Sequence, residues 1–400
     1  MTHFFYVLAG QMLVAATLPL VLELALVTAG SLLPRRRSEF AASANPGAGE
    51  YPLAVVIPAH NEELLVARCV RSLRESAAAS PAVRILVVAH NCTDSTADQA
   101  RKAGAEVLVY DDPAARGKGF ALSHGFNAAL SGPAKAVLVI DADSVVSPNL
   151  IRSVQSALSA GAEAVQCRYE MESSTDKPSS RLAALALRGF NVIRPRGRER
   201  LGLSAGIFGN GFALTRTILT EVPYGAFSVV EDLEYHLTLV MKKKRVRFLE
   251  GARVWASLPA SSEGETVQRS RWEGGRFHAA RAWTLPLLGQ VLRGRLRLLE
   301  PMFDVACLPM AYGVFALLLA ACIPVPPVRF YAAVSLMVVA GHVLAAAAAG
   351  PDFLKTVGLL VTAPLYIVWK LRLLPSIVRG SRGKAAWVRT NRDSNFRSIS

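Results

Sequence analysis

Charge is thin in this 400-residue chain and acid is the scarcer sign: only 19% of residues are charged, while 52% are hydrophobic. A fully water-exposed protein usually carries about 25% charged residues, so the shortage points toward a membrane. The length allows about two or three domains. Thirty Asp and Glu stand against 45 Lys and Arg, for a net charge of +15. Such an excess raises nucleic acid as a partner, but zinc-finger spacing, an aromatic-basic RNA motif and a basic heptad are all missing. The basic residues instead flank apolar segments, at Arg35 to Arg37, Arg293 to Arg297 and in the tail, which suits anionic lipid. Cysteines are few, scattered and odd in number: Cys69, Cys92, Cys167, Cys307 and Cys322. That excludes a disulfide framework or a cysteine-held metal and fits a reduced, cytosolic compartment. No internal repeat is present, and the one low-complexity tract is the Ala-rich run Ala345 to Ala349.

Long apolar runs are plentiful. Residues 4 to 34 are broken only by Gln11 and Glu23 and end at Arg35-Arg36-Arg37. About 20 such residues span a bilayer, and arginines after the run place the following chain in the cytosol. A cleaved signal peptide would carry its positive charge before the run, so residues 1 to 34 are expected to be an uncleaved anchor with the amino end outside. Three more stretches follow late, Met302 to Ile323, Val328 to Ala349 and Phe353 to Trp369. The tail from Lys370 holds eight Lys or Arg against the single acid Asp393, which argues for the cytosol. Three late crossings would put that tail outside. The conflict is resolved if one stretch, Pro-interrupted Phe353 to Trp369, is re-entrant or interfacial. For Glu23 and His342, a polar path through the membrane and a packed, hydrogen-bonded place both stay open.

Between the apolar parts, strand-like and helix-like segments alternate. After a basic linker at residues 35 to 50, Leu53 to Ile57, Val83 to Ala89, Val107 to Tyr110, Val137 to Ile140 and Ala164 to Arg168 are short β-rich runs. Helical patterns lie around Glu62 to Ala77, Ser95 to Ala103, Gly119 to Leu130 and Pro148 to Ala160. That order predicts an α/β fold with a mostly parallel sheet covered by helices on both faces. The expected layout is a cytosolic domain over 51–282, an amphipathic interface segment over 283–300, membrane segments over 301–370 and a basic cytosolic tail over 371–400. A nicotinamide-binding Rossmann domain is disfavoured, because the first strand runs into Pro58-Ala59-His60-Asn61-Glu62-Glu63 without a Gly-x-Gly-x-x-Gly turn.

The fourth run ends in Asp141-Ala142-Asp143. Strand alternation would send positions i and i+2 to one side, into the crevice beyond the carboxyl ends where open α/β sheets bind ligands. Two hard oxygen donors there suit a divalent cation that holds a diphosphate. Taken alone, the pair also fits a strand end and helix cap.

Six motifs occur in order: Pro58 to Glu63, Asn91-Cys92-Thr93-Asp94-Ser95-Thr96, Arg116-Gly117-Lys118-Gly119, Asp141-Ala142-Asp143, Glu231-Asp232 and Gln268-Arg269-Ser270-Arg271-Trp272. Together, over about residues 50 to 285, the chain resembles the family 2 glycosyltransferases. The likeness is to the membrane-integrated branch with cellulose, chitin and hyaluronan synthases and ceramide glucosyltransferase. The resemblance implies a GT-A fold and inverting transfer from a nucleoside-diphosphate sugar, UDP-linked by family habit, with Mg²⁺ or Mn²⁺ as cofactor. It implies that Asp143 and Asp141 hold the metal, Asp141 also lying near the ribose and diphosphate, and that Asp232 is the base. Pro58, Glu62, His90, Lys118 and Arg271 are implied on the donor side, with Gly211 and Trp272 on the acceptor side.

Each residue also has a plainer reading: Glu231-Asp232 as a helix N-cap, Arg271-Trp272 as an interfacial anchor, Lys118 as a solvated turn residue, Gly209 to Phe212 as a turn. Arg194 to Arg200, with four arginines, suits a solvated loop or lipid phosphate. The chain departs from the family at His90, where relatives carry an aspartate on the nucleobase; a neutral imidazole can still hydrogen-bond a base edge. The acceptor is expected to be a lipid, lipid-linked or glycan hydroxyl at the cytosolic face of the plasma (inner) membrane. A processive polysaccharide synthase and a catalytically silent nucleotide-sugar-binding scaffold are the alternatives.

Overall fold

The computed structural model describes residues 1–34, 50–173, 175–259 and 261–380. The basic linker over 35–49 and the tail over 381–400, including Arg35 to Arg37, lie outside the described residues. The chain forms two compact units. An α/β unit holds 50–173 and 202–259; a helical unit holds Met1–Leu33, Thr175–Leu201 and 261–380.

The α/β unit is built on one eight-stranded sheet. Its strands are β1 (Leu53–Ala59), β2 (Val83–His90), β3 (Glu106–Tyr110), β4 (Ala136–Val139), β5 (Val145–Val146), β6 (Ala164–Glu172), β7 (Phe212–Thr215) and β8 (Val246–Ser257), in the order β3-β2-β1-β4-β7-β6-β8-β5. β1 runs parallel to β2 and β4, β2 to β3, and β6 to β8. β7 lies antiparallel between β4 and β6, and β5 is antiparallel to β8. β1 and β4 are near-continuous runs of buried aliphatic residues, as strands covered on both faces must be. The helix Val66–Ser76 shows why: Val66, Cys69, Val70 and Leu73 recur at helical spacing and are all buried. Because β2, β1 and β4 are parallel neighbours, the loops after them emerge at one edge of the sheet.

The expected runs agree with β1 to β4 and β6, and the expected helices with Val66–Ser76, Thr96–Lys102, Lys118–Leu130 and Leu150–Ser159. The first of these starts later than Glu62 because the preceding residues are used elsewhere. Asn61 is left-handed at φ 55°. Its side-chain oxygen accepts from Thr93 N at 2.7 Å, while Glu62 N donates to Thr96 Oγ1 at 2.7 Å and Glu63 N to Asp94 Oδ2 at 3.2 Å. The turn after β1 and the turn after β2 are thus stapled together.

In the helical unit, Thr2–Leu32, Pro326–Ala348 and Phe353–Leu373 are long and apolar enough to cross a membrane. Leu296–Ala306 and Met310–Cys322 form a further pair bent by 85°. The break therefore falls in the expected Met302 to Ile323 stretch and not in Phe353 to Trp369, where the helix Phe353–Leu359 continues through Leu360–Thr362 into Ala363–Gly380. Pro309, the N-cap of Met310–Cys322, supplies the reason: a proline disfavours helix in the residue before it and offers no N–H of its own. The expected boundaries at 282 and 371 both fall inside helices, Ser262–Leu292 and Ala363–Gly380.

Glu23, within Thr2–Leu32, is fully buried against arginine. Arg198 Nη2 lies 2.9 Å from it and Arg194 Nη2 3.8 Å. Arg198 also pairs with Glu300 and, at 3.0 Å, with Asp304, which receives Arg194 at 2.8 Å and Arg276 at 3.0 Å. Phe190 lies under both Arg194 and Arg276. The Arg194 to Arg200 segment is therefore no solvated loop but the helix Arg194–Leu201, with Arg194 and Arg198 turned into the unit. His342 Nδ1 is 2.8 Å from Thr28 Oγ1. For Glu23 and His342, the packed role is the one observed.

Removing one member of a buried ion network leaves its partners uncompensated, at a cost of about 3–5 kcal/mol. Arg198→Met is expected to lose that much stability in denaturant or thermal melts of the detergent-solubilised protein. Arg198→Lys should not restore it, because an ammonium lacks the planar fork that meets three carboxylates. A melt of Arg198→Met that matches wild type would refute this.

Candidate functional site

β4 stops at Val139, and Ile140 N still bonds Val56 O at 3.2 Å. The next four residues are a turn closed by Ser144 N donating to Asp141 O at 3.0 Å. The two carboxylates are thus carried by a turn beyond the strand and not, as alternation implied, by the pleat itself. Asn210 brackets this turn. Its side-chain oxygen accepts Asp141 N at 3.1 Å, and its amide nitrogen donates to Ser144 Oγ at 2.8 Å, which in turn donates to Asp143 Oδ1 at 3.3 Å. Asp143 is 7% exposed and the Asp141 side chain 30%.

Asn210 is itself held from the sheet. Gln166 on β6 is fully buried, donates to Asn210 O at 2.7 Å and accepts Phe208 N at 3.1 Å. On either side, Gly209 and Gly211 take φ of +75° and +71°, a region that disfavours any side chain. Gly211 N donates to Val139 O at 2.9 Å, and Gly211 O accepts from Cys167 N at 2.7 Å. A methyl group there would meet Val254 Cγ2 at 2.9 Å. Gly211, expected on the acceptor side, thus has both backbone groups engaged with the sheet.

Lys118 opens the helix Lys118–Leu130 after Gly117 at φ 125°. Its ammonium pairs with the Asp141 carboxylate and donates to Gly209 O at 2.7 Å. Burial alone would lower this amine, but the charges of Asp141, Glu231 and Asp232 hold it above its ordinary value. Lys118 is therefore a member of the site and not a solvated turn residue.

Glu231 and Asp232 begin the helix Glu231–Met241, whose N-cap is Val230. Asp232 Oδ1 accepts Leu233 N at 2.8 Å, and its Oδ2 would lie 3.3 Å from a methyl at Gly209. The N-cap reading does not describe this pair, although the helix dipole favours acids there. Burial, then the neighbouring Asp232 charge, pushes Glu231 up to about 8. Asp232 is also raised, burial being the main cause, against its bond from Leu233 and the Lys118 charge. Lys118 thus bridges Asp141 and Gly209, and Asp232 faces the position a side chain at Gly209 would take.

The remaining expected residues divide. Pro58 is in β1, and Glu62 lies in the turn stapled to Thr93–Thr96. His90 ends β2 with 4% exposure. Its ring stacks on Tyr110 at 4.9 Å, which stacks on His124 at 4.3 Å, and its Nε2 is 3.2 Å from Asn91 Nδ2. Burial is the main cause that lowers its pKa. Arg271 and Trp272 belong to the helical unit, on Ser262–Leu292, where Gln268, Arg271 and Trp272 share a face by i, i+3, i+4 spacing. Asn210 and Gln166, the residues that fix the acidic turn, were not singled out from the sequence. Asn210 sat within the noted Gly209 to Phe212 motif; Gln166, in a strand of buried residues, left a weak signal as a polar side chain amid apolar ones.

Among the described residues no group of three or more His, Cys, Asp or Glu is placed to hold a metal by itself. The two turn carboxylates match the case in which one or two protein carboxylates and substrate phosphates complete the shell of Mg²⁺ or Mn²⁺.

Residues 51–275 match the family described as Glycosyltransferase like family 2, and the chain belongs to it. A curated relative is the Probable glycosyltransferase YdaM of Bacillus subtilis (strain 168), 25% identical over 234 residues, covering 56% of this chain and 54% of the relative. The chain spans about half the length of that relative. Among solved structures, the mannosyltransferase PcManGT of Pyrobaculum calidifontis, in complex with GDP-Man and Mn²⁺, has a TM-score of 0.56 at 16% identity, over 95% of this chain and 99% of that one. Glucosyl-3-phosphoglycerate synthase of Mycobacterium tuberculosis, with Mn²⁺, UDP and glucosyl-3-phosphoglycerate, is 22% identical over 56% of this chain and 77% of its own, with a TM-score of 0.37. The fold is the mixed α/β, GT-A-like arrangement expected, with candidate membrane helices at both ends.

Two measurements probe the site's construction. Gly209→Ala and Gly161→Ala, the latter at φ +94° with open space around it, should each lose about 1–2 kcal/mol of stability from the left-handed backbone. Only Gly209→Ala should also lose activity, since its methyl presses on Asp232; equal activities would refute that contact. A carboxyl whose folded pKa is raised contributes its full stability below its ordinary 4.5 and loses it as pH climbs through about 8. The melting temperature of Glu231→Gln relative to wild type should therefore rise from about pH 5 to about pH 8. A constant difference would count against the buried charge.

Proposed function

We propose that this chain is an inverting glycosyltransferase. It moves a sugar from a nucleoside-diphosphate donor to the hydroxyl of a lipid, lipid-linked or glycan acceptor at the cytosolic face of a membrane. The Lys118 ammonium, paired with Asp141 and acted on by the charge of Asp232, carries this reading, because it joins a cation-binding acid, a phosphate-binding amine and a carboxylate of raised pKa.

In this reading Asp143 and Asp141 would hold Mg²⁺ or Mn²⁺, and the ion would supply positive charge against the departing diphosphate. Lys118 meets a phosphate oxygen as a compact point charge. Asp232 accepts the proton of the acceptor hydroxyl while that oxygen bonds the anomeric carbon and the carbon–diphosphate bond breaks, so one displacement inverts the centre. Its raised pKa suits a group that must take up a proton near neutral pH. Arg271 and Trp272 are assigned to the diphosphate and the acceptor sugar face. His90, buried, acts on the nucleobase through the shape it gives the end of β2. A bent pair that enters and leaves on one side, with three full crossings, would return the chain after Leu373 to the side of the α/β unit. That agrees with the positive charge of the tail.

Full-length protein assayed across nucleotide sugars with Mn²⁺ should hydrolyse or transfer at least one. Asp232→Asn should remove turnover by about 10²-fold or more and leave donor affinity, measured by calorimetry, close to wild type. Wild-type turnover in Asp232→Asn, or inactivity with every donor, would overturn the reading.

A further inference from the structure

We propose that Lys118 is the resident cation of the Asp141 carboxylate, holding that oxygen until a nucleoside diphosphate draws the ammonium away, so that divalent metal and donor must enter together. The proposal rests on the glycosyltransferase reading and adds an order of binding to it. The ammonium pairs with Asp141 Oδ1 and is tied on its other side to Gly209 O at 2.7 Å. The two side chains are 22% and 30% exposed, so both are reached from solvent. Asp143, the other carboxylate of the turn, is 7% exposed, with its Oδ1 receiving Ser144.

A divalent ion arriving alone therefore meets a turn whose more accessible carboxylate already has a positive partner. Two cations against one carboxylate repel each other at short range. A diphosphate changes the balance, because its oxygens offer the ammonium an alternative charge-assisted bond. Lysine suits such an exchange better than arginine: its compact charge rides on a flexible four-carbon stem with no fork to satisfy. Lys118 is the first residue of the helix Lys118–Leu130, so the exchange falls to side-chain rotation.

The test is direct binding of Mn²⁺, read by the electron paramagnetic resonance signal of free Mn²⁺, to full-length protein in detergent without nucleotide. Lys118→Met, and Lys118→Gln, which keeps a donor for the Gly209 carbonyl should the first variant fold poorly, are each expected to bind Mn²⁺ about tenfold tighter than wild type, a difference well resolved by titration. That gain should vanish when Asp143→Asn is added. If wild type and both variants bind Mn²⁺ equally without nucleotide, while Asp143→Asn abolishes Mn²⁺ binding in the presence of UDP or GDP, the exchange is refuted and the metal pair stands. If none of the proteins takes up Mn²⁺ with UDP or GDP present, the exchange and the metal assignment fall together.

Discussion

The candidate site depends on one buried amide. Asn210 receives the backbone of Asp141, donates to Ser144 and is fixed in turn by Gln166 from the middle of the sheet. Every polar group of that chain is engaged, which is what makes a polar network inside an apolar sheet a source of rigidity. Both glycines beside it are needed to bring Asn210 under the acidic turn, and one also sets the clearance around Asp232. The carboxylates owe their positions less to β4, which ends two residues earlier, than to an amide 69 residues further along the chain.

Much of the fold was legible because β1, β2 and β4 are solid aliphatic runs with helical periods between them, the pattern a doubly covered parallel sheet demands. β7 was not, since four residues of Phe212–Thr215 are too few to show a period. β8 was hidden by its chemistry: Glu250, Gly251 and the arginines interrupt it, and its pairing with β6 shifts register between Cys167 and Arg168. At the site, Asp141, Asp143, Lys118 and Asp232 were legible as an ordered set of motifs. Asn210 and Gln166 act only through partners distant in sequence. At Gly211 the sequence could not separate a glycine needed for backbone conformation from one needed for ligand approach, because the two look alike in sequence.

The helical unit shows the same limit in electrostatics. Four arginines in seven residues suggested water or lipid phosphate, yet two of them face Glu23, Glu300 and Asp304, which lie far from them in sequence on either side. Charge sequence alone does not reveal whether a cation meets solvent or a buried acid. Glu23 in an otherwise apolar run was the legible hint, because an acid there requires a partner.

That pairing bears on how the chain can be divided. β6 and β7 are hydrogen-bonded neighbours, but the chain between them leaves the α/β unit at Ser173 and returns at Gly202, having contributed Arg194 and Arg198 to the helical unit. Residues 51–275 match a family as one stretch, yet a polypeptide cut to those limits would carry two arginines bereft of Glu23, Glu300 and Asp304. The sheet is interrupted by a segment whose Arg194 and Arg198 meet carboxylates on two helices far from it in sequence, Thr2–Leu32 and Leu299–Ala306. During synthesis the interrupting segment must wait for residues about 300 to 304 before its ionic partners are complete, although β7 needs only its immediate neighbours. The α/β unit is therefore a continuous sheet in space built from two separate stretches of the chain.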